Sequence, residues 1–314
     1  MQFSVVAVFS CSMDTRTAAA HFCALTAMLV WGTTLVSMKY LFGVLDPIEL
    51  LFIRFCISYL ILFLLHPHLH RDSLSWKREG LFAVTGLIGV TSYYMFESYA
   101  VTLTLSANVA IIVAMAPLFT ALLGKLFGGR RLGRGFFIGF GFAICGVVLV
   151  EFNGNVMLSL SPAGDALALV ASICWAAYSM LLLKVDHLGL PLLYSTRRIF
   201  SYGILGLLPC LPFTGFSVSL SDFASVPVVL NVLYLAIVAS ACCYLIWNHA
   251  VVVLGDSVTI VYIYLLPLIS MIAGNLVFDE PITWMGALGA GLIICGLAVS
   301  QKKKSVKASL NKMK

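Results

Sequence analysis

Long apolar runs recur along almost the whole chain, and they limit its possible folds more than any other feature. Most of them extend for about 20 residues, the length that an α-helix needs to cross a bilayer core of about 30 Å. The apolar residues are continuous rather than alternating, which argues against a transmembrane β-barrel. The runs predict ten helices, at residues 18–40, 48–65, 80–101, 106–127, 134–151, 164–184, 191–212, 227–250, 257–278 and 282–300.

Charged residues are too few for a water-soluble protein. They make up 10% of the 314 residues, whereas 61% of the residues are apolar. A soluble domain averages about 25% charged residues, so this chain cannot cover a globule with polar surface. We therefore predict an all-α membrane protein of ten transmembrane helices, and a soluble enzyme is excluded.

The sequence predicts no metal site and no cofactor. Eight of the nine cysteines lie inside apolar runs, where cysteine behaves as a small hydrophobic residue, and no C-x-x-C pair occurs. The alternating histidines His66, His68 and His70 have a spacing that can bind a metal, but a solvated loop explains them as well. No phosphate-binding G-x-x-x-x-G-K-[ST] loop is present in the sequence.

Lysine and arginine predict how the helices are oriented. With a cytoplasmic N-terminus, fifteen of the 19 basic residues fall on the cytoplasmic side, as the positive-inside rule requires. Both termini are then cytoplasmic. The net charge of +6 is explained by this topology and by contact with anionic lipid, so no nucleic-acid partner is needed. The other four basic residues lie within or at the ends of spans: Lys39, Arg54, Arg197 and Arg198.

The second half of the chain repeats the first. An offset of 150 residues pairs Tyr94 with Tyr244 and Pro117 with Pro267, and an offset of 144 pairs Trp31 with Trp175 and Arg54 with Arg198. Each unit has five helices, an odd number, so the second copy must enter the membrane from the opposite side. Inverted repeats of this kind are typical of secondary transporters, with a substrate site between the halves.

The repeat also predicts the division of the chain. We expect an N-terminal tail at 1–17, the first repeat at 18–151, a linker at 152–163, the second repeat at 164–300 and a basic cytoplasmic tail at 301–314. The first twelve residues lack a basic region, which favours a tail, or a start at Met13, over a signal peptide.

A set of short motifs, weak singly but specific in this order, covers nearly all of residues 18–300. They are Trp31-Gly32, Arg54-Phe55, Ser106 to Leu118, Trp175 to Tyr178, Pro267 to Gly274, Glu280-Pro281, Gly289 and Gly296. In these motifs the chain resembles the EamA-type transporters of the drug/metabolite transporter superfamily. The resemblance implies a ten-helix carrier of the cell (cytoplasmic or inner) membrane, commonly an exporter of amino acids or other small metabolites, that does not hydrolyse ATP. The first repeat departs from the pattern, because Arg130 stands where the second has Glu280.

Aromatic and polar residues near mid-span predict a substrate cavity. Trp31 and Trp175 lie at matching mid-membrane positions, away from the interface where tryptophan usually lies. Hydroxyl and amide groups beside them can orient a zwitterion, although tyrosines in such bundles also serve as core filling. The predicted cavity residues are Trp31, Thr34, Tyr94, Asn108, Trp175, Tyr178, Trp247, Asn248 and Tyr262.

Charged residues inside the spans are candidates for gating or substrate contact, because burying charge in hydrocarbon is expensive. The predicted topology places Lys39, Arg54 and Glu97 in the outer leaflet and Arg198 and His249 near the cytoplasmic side. The alternative for the outer group is a static ion pair. The alternative for the inner group is a set of positive-inside residues. Glu97 and His249 are the candidate proton carriers.

Two prolines at matching positions, Pro117 and Pro267, predict hinges in the fourth and ninth helices. Proline frees a backbone carbonyl and kinks a membrane helix where neighbouring groups can satisfy that carbonyl. Simple curvature is the alternative.

The sequence therefore predicts a secondary transporter, proton-linked or facilitative, that exports an amino acid or related metabolite. Its partners would be the substrate, the lipid bilayer and protons, and it would be a monomer or homodimer. Two alternatives remain open. A non-transporting sensor or accessory protein would be expected to carry a soluble domain, and no soluble stretch exceeds about 20 residues. A membrane-embedded enzyme would need a motif such as H-E-x-x-H, which does not occur.

Overall fold

The structure, a computed structural model, is helical throughout its described residues, which contain no strand. The described residues are 14–68, 75–104, 106–128, 133–152, 161–214, 218–278 and 282–311. Some predictions concern residues outside these ranges. They are positions 1–13, His70, Arg130, residues 153–160 of the predicted linker, Glu280, Pro281 and residues 312–314 of the predicted tail; the side chains of Lys39 and Asn108 also lie outside the described part of the chain.

The α-helices of the described residues are numbered in chain order. They are α1 (Thr15–Leu41), α2 (Pro47–Leu65), α3 (Trp76–Gly86), α4 (Tyr93–Leu103), α5 (Ser106–Val113), α6 (Ala116–Gly128), α7 (Arg134–Phe152), α8 (Pro162–Asp186), α9 (Leu192–Leu207), α10 (Leu211–Thr214), α11 (Val226–Leu233), α12 (Cys243–Leu254), α13 (Asp256–Thr259), α14 (Leu265–Phe278) and α15 (Trp284–Asn311). Wider π-helical turns occupy Leu87–Ser92 and Tyr234–Cys242, and tighter 3₁₀ turns occupy Leu208–Cys210, Leu220–Phe223 and Ile260–Tyr264.

Several of these helices are apolar and long enough to cross a bilayer. Within the described residues, the stretches that meet this requirement are Pro47–Leu65, Pro162–Asp186, Val226–Leu254 and Asp256–Ala273. Shorter apolar helices run over Ile111–Phe127, Arg134–Val150 and Trp284–Val299. The prediction of an all-α protein with several membrane spans is therefore confirmed, whereas the number of ten and the position of the termini stay predictions.

The structure interrupts five of the predicted helices. A π-helical turn separates α3 from α4 and another separates α11 from α12, while 3₁₀ turns interrupt the predicted helices at 191–212 and 257–278. The predicted helix at 106–127 is broken by a turn at Ala114 and Met115. Apolar periodicity cannot reveal such breaks, because the residues around them are as apolar as the rest of the run.

Local chemistry accounts for the helix ends. α2 and α8 begin with proline directly after a capping residue, a position where the missing proline N–H is not needed. The Asp46 carboxylate accepts a hydrogen bond of 2.8 Å from the Ile48 backbone N–H, and the Ser161 hydroxyl caps α8 through Gly164. α12 ends at Gly255, whose φ of 84° suits a residue without Cβ.

The exposed surface is apolar and part of the interior is polar, the reverse of a soluble protein. Large side chains such as Phe22, Leu126 and Leu276 are mostly exposed, whereas Arg54 and Thr196 are buried. An apolar surface of this extent suits contact with lipid.

Packing between the halves occurs in pairs that the repeat exchanges. α4 packs against α8, and the corresponding α12 packs against α1. In the same way, α9 packs against the first π-helical turn and α2 packs against the second. α7 and α15, the last helix of each predicted repeat, form the most extensive helix contact.

Glycines bring α7 and α15 into backbone contact. A Cβ on Gly146 would lie 2.5 Å from the Gly289 carbonyl oxygen, and one on Gly289 would lie 2.6 Å from the Gly146 oxygen. A Cβ on Gly296 would lie 2.6 Å from the Gly139 oxygen. Gly139 and Gly146 correspond to Gly289 and Gly296 in the repeat, so the two close approaches exchange under the same offset.

Candidate functional site

A cavity of about 90 Å³ lies where both halves meet. By this measure a water needs roughly 10–15 Å³, so the cavity holds several waters or the polar end of a small molecule. Its walls come from α1, α2, α4, α5 and α8 and from the broken helix that contains Pro267. The lining residues are Trp31, Thr34, Met38, Arg54, Tyr93, Tyr94, Glu97, Val101, Val109, Val113, Ala114, Trp175, Ile263, Leu266 and Pro267.

Both predicted hinge prolines follow directly on a break in their helix. Pro117 is the second residue of α6, just after the turn at Ala114 and Met115, and Pro267 is the third residue of α14, just after a 3₁₀ turn. Pro117 cannot donate to the Val113 carbonyl, and the Ser172 hydroxyl donates a hydrogen bond of 3.3 Å to that oxygen instead. The breaks line the cavity through Ala114 and Ile263. That they move as hinges stays a prediction.

Aromatic rings from both halves form the inner wall. The rings of Trp31 and Trp175, which the repeat relates, meet edge to face with centroids 5.4 Å apart. Tyr244 lies 5.8 Å from Trp31, and Trp247 lies 5.3 Å from it. Such contacts stabilise an aromatic cluster at the meeting of the two halves.

The two related tryptophans differ in their hydrogen bonds. The Trp31 Nε1 donates 2.8 Å to the Ala239 carbonyl, which belongs to the second π-helical turn. The Trp175 Nε1 is buried and has no hydrogen-bond partner among the described residues. Gly89, the repeat counterpart of Ala239, instead accepts a bond of 3.4 Å from the Tyr244 hydroxyl.

Arg54 presents a fixed positive charge to the cavity. Only 2% of the residue is exposed, and its Nε donates 2.9 Å to the Ser240 hydroxyl. Its guanidinium carbon lies 4.9 Å from the Tyr94 ring centroid and 5.2 Å from that of Phe55. These contacts leave the two terminal amino groups as the part of the side chain available to the cavity.

Glu97 brings a carboxylate to the same cavity. The Tyr93 hydroxyl donates 2.9 Å to its Oε1. Tyr93 in turn packs on Trp175, with ring centroids 4.9 Å apart. Arg54 and Glu97 share the cavity without a direct ion pair between them in the described part of the chain.

Three predicted cavity residues lie outside this cavity, in the core of the second half. Trp247 is fully buried, and so are Tyr178 and Asn248. The Asn248 side chain accepts 2.8 Å from the Tyr178 hydroxyl and donates 3.1 Å to the Thr196 hydroxyl. Tyr178 and Asn248 are thus engaged with each other and with Thr196, whereas the Trp247 Nε1 has no hydrogen-bond partner among the described residues. Asn248 is not among the residues that line the cavity.

The remaining predicted residues are more peripheral. The Tyr262 hydroxyl lies 2.7 Å from the His21 Nδ1, away from the residues that line the cavity. His249 is half-buried on α12. The backbone of Asn108 lies in α5, beside the lining residue Val109.

A second charged cluster ties α3 to α9. Arg198 forms an ion pair with Glu79, and the Tyr202 hydroxyl donates 2.5 Å to the same carboxylate. The neighbouring Arg197 is buried and donates to the backbone carbonyls of His66, at the end of α2, and of His68, at 3.0 Å for the latter. These arginines therefore lock helix ends together in addition to any role in topology.

Sequence reasoning missed Tyr93, Glu79 and Ser240. A signal existed for Tyr93, because it lies one helical turn before Glu97, at the spacing of side-chain pairs on a helix. Glu79 and Arg198 both lie in the first two turns of helices that, in the predicted topology, start on the cytoplasmic side, which favours a pair between them. Ser240 carried no such signal beyond being polar within an apolar run.

The two π-helical turns were also missed, and they lie at related places. Both end directly before α4 and α12, at Ser92 and at Cys242, which are 150 residues apart. π-helical turns occur often at functional sites because they redirect side chains and expose carbonyls. In this protein the second turn supplies the Ala239 carbonyl and the Ser240 hydroxyl that fix Trp31 and Arg54.

Comparisons with known proteins place the chain in one family. The EamA-like transporter family matches residues 18–152 and 162–300. An "Uncharacterized transporter" of Archaeoglobus fulgidus is 30% identical over 301 residues, covering 90% of this chain and 98% of that protein. A "Probable amino-acid metabolite efflux pump" of Escherichia coli is 28% identical over 297 residues, covering 88% and 93%.

A solved crystal structure shares the fold. It superposes with a TM-score of 0.70 over 90% of this chain and 96% of its own, at 20% sequence identity. The family match, the full-length relatives and the apolar helices agree with one another. The chain belongs to the EamA-like transporter family and is a multi-pass membrane protein.

Proposed function

We propose that this protein is a secondary transporter that exports an amino acid or a closely related metabolite by alternating access around the central cavity. The observation that carries the proposal is a cavity lined by both halves, by two broken helices and by one acidic and one basic residue, Glu97 and Arg54. Discontinuous helices at a midplane site are typical of secondary transporters. The names of the relatives from Escherichia coli and Salmonella typhimurium support an amino-acid metabolite as substrate.

Alternating access requires two halves that can exchange conformations. The proposed halves are the inverted repeats at 18–151 and 164–300, with a basic tail after them and both termini cytoplasmic. The reciprocal packing of α4 on α8 and of α12 on α1 supports this division. So does the reciprocal contact of Gly146 and Gly289.

In the proposed orientation the cavity lies on the outer side of the aromatic cluster. Arg54 and Glu97 belong to the outer leaflet in that topology. The cluster of Glu79, Arg198 and Tyr202 then lies on the cytoplasmic side, where it holds α3 and α9 together. Release of that cluster would accompany opening to the cytoplasm, and the prolines before α6 and α14 would act as hinges.

Counterflow in proteoliposomes tests the proposal. Liposomes of the purified protein are loaded with a mixed pool of amino acids, amines and nucleosides, and exchange is read by mass spectrometry. We expect exchange of amino acids, which the joint replacement of Trp31→Ala and Trp175→Ala abolishes because it removes the inner cavity wall. Exchange of another class alone, or of none by folded protein, would contradict the proposal.

A further inference from the structure

The cavity holds two opposite charges that are not paired with each other. Charged residues within membrane helices are costly, and two residues of opposite charge that share one site usually pair with each other. Instead, Arg54 is held by Ser240, and Glu97 is held by Tyr93. Each charged group is therefore held by one hydrogen bond to a neighbouring side chain, and each still has atoms that can bind a molecule in the cavity.

The hydrogen bonds to Ser240 and Tyr93 determine which atoms of Arg54 and Glu97 can still bind a ligand. Arg54 uses Nε for Ser240, and its guanidinium carbon lies 4.9 Å from the Tyr94 ring. The two terminal amino groups remain, and such a planar fork matches a carboxylate in geometry. Glu97 uses Oε1 for Tyr93, so its other oxygen remains as an acceptor for a cationic donor.

The rest of the cavity supplies little competing polarity. The Thr34 hydroxyl donates 2.7 Å to the Trp31 carbonyl within its own helix. The Trp175 Nε1 is one further donor, without a described partner, and the other walls are mainly apolar, with Val101, Val113 and Leu266 among them. The site therefore complements a small molecule that has one anionic end, one cationic end and an apolar remainder.

We infer that Arg54 binds the carboxylate and Glu97 binds the ammonium group of an α-amino acid, whose side chain lies against the apolar and aromatic walls. This inference rests on the proposed function and assigns the binding groups within it. It replaces the amide of Asn248, which is engaged by Tyr178 and Thr196, as the zwitterion ligand.

The test uses three matched ligands on the full-length protein in proteoliposomes. Counterflow with the 20 common amino acids first identifies the one exchanged fastest. Its amide, which lacks the carboxylate, and its deaminated acid, which lacks the ammonium group, then compete for that exchange. We expect each analogue to compete at least about tenfold more weakly than the parent with the wild-type protein, because each loses a charge-assisted contact.

Variants assign each end to its residue. Glu97→Gln is expected to accept the deaminated acid within about threefold of the parent while still rejecting the amide. Arg54→Gln is expected to do the reverse. Because Arg54 is buried, Arg54→Lys is measured too; it keeps the charge, loses the planar fork and should weaken the parent and the deaminated acid but not the amide.

Exposed residues at the start of α1 provide the matched controls, Asp14→Asn and Arg16→Gln, which should change none of the three values. If the wild type exchanges amino acids but the variants slow all three ligands equally, the charges do not bind the ligand and the inference is wrong while the function stands. If the wild type exchanges no amino acid, the proposed function fails and the inference fails with it.

Discussion

Two places in the first half border empty space, whereas the related places in the second half are filled by aromatic side chains. In the first half, Thr34 and Glu97 border a cavity. Their counterparts in the second half, at offsets of 144 and 150, are Tyr178 and Trp247, two large side chains that are fully buried. A ring therefore fills each place where the first half leaves space or places a charge.

The two halves differ both in residue type and in the hydrogen bonds of residues that are the same. The exchange of Thr34 for Tyr178 is a difference in the sequence and holds in every conformation, so under the proposed function only the cavity side has room for the substrate. Trp31 and Trp175 are identical residues, but the carbonyls at the related positions belong to Ala239 and Gly89, and the Gly89 carbonyl accepts from Tyr244 instead. Under the proposed function, two similar halves are therefore compatible with one binding site.

The largest effect is expected when Thr34 is replaced by tyrosine, the residue type at the related position 178. Thr34→Tyr should reduce amino-acid counterflow to the level of empty liposomes, because the ring occupies the space that the substrate needs. Thr34→Ser, which keeps the hydroxyl and frees volume, should retain most of the exchange. Full exchange by folded Thr34→Tyr would show that the substrate binds elsewhere.

The next largest effect is expected from removing the carboxylate of Glu97, whose counterpart in the second half is Trp247. Glu97→Gln cannot carry a proton, so the dependence of transport on the proton gradient should fall to a small fraction of its wild-type size. Transport rates across a series of imposed pH gradients measure this. Asp14→Asn, an exposed carboxylate, should behave as wild type. An unchanged pH dependence in Glu97→Gln sinks the proton-carrier assignment.

Gly146 and Gly289 contact each other between α7 and α15, so replacing either one should lower stability by a similar amount. Gly146→Ala and Gly289→Ala each force a Cβ into a facing carbonyl and should lower stability by about 1–3 kcal/mol. The glycines Gly141 and Gly291 have open space around them, so alanine there should leave thermal stability unchanged or slightly raised. Thermal denaturation in detergent compares the four variants, and similar values for all of them would contradict this packing.

A smaller effect on stability is expected from the cluster of Glu79, Arg198 and Tyr202. Glu79→Gln should lower stability by about 1–2 kcal/mol, because Arg198 and Tyr202 lose a charged acceptor at a partly exposed site. Tyr202→Phe removes one donor and should cost less. The same melting measurement decides this, and a larger loss in Tyr202→Phe than in Glu79→Gln would be the contrary result.

The smallest effect concerns the two tryptophans. Trp31→Phe removes a hydrogen bond to the Ala239 carbonyl and should cost about 1 kcal/mol more than Trp175→Phe, which removes an indole N–H that has no described partner. Equal costs for the two variants would mean that the two indoles are held alike.

The sequence predicts those parts of the site that depend on topology. Helix orientation and depth place Arg54 and Glu97 together, and the internal offset places Trp31 opposite Trp175; the structure has both pairs in one cavity. Pattern alone could not show that Asn248 faces Tyr178 and Thr196 rather than the cavity, because a fraction of a helical turn decides which neighbour a side chain meets.

The breaks in the helices show the same limit. Proline at 117 predicts a freed carbonyl at Val113, and that carbonyl accepts a hydrogen bond from Ser172. The π-helical turns have no comparable residue signature, since one extra residue per turn is stabilised by tertiary contacts such as the bonds to Ala239 and Ser240.

A structure of the protein with its fastest-exchanged amino acid bound tests the central claim most directly. The account predicts ligand density in the cavity beside Thr34, with the carboxylate at Arg54 and the ammonium group at Glu97. Density beside Tyr178 and Trp247, with the cavity at Thr34 left without ligand, would contradict it.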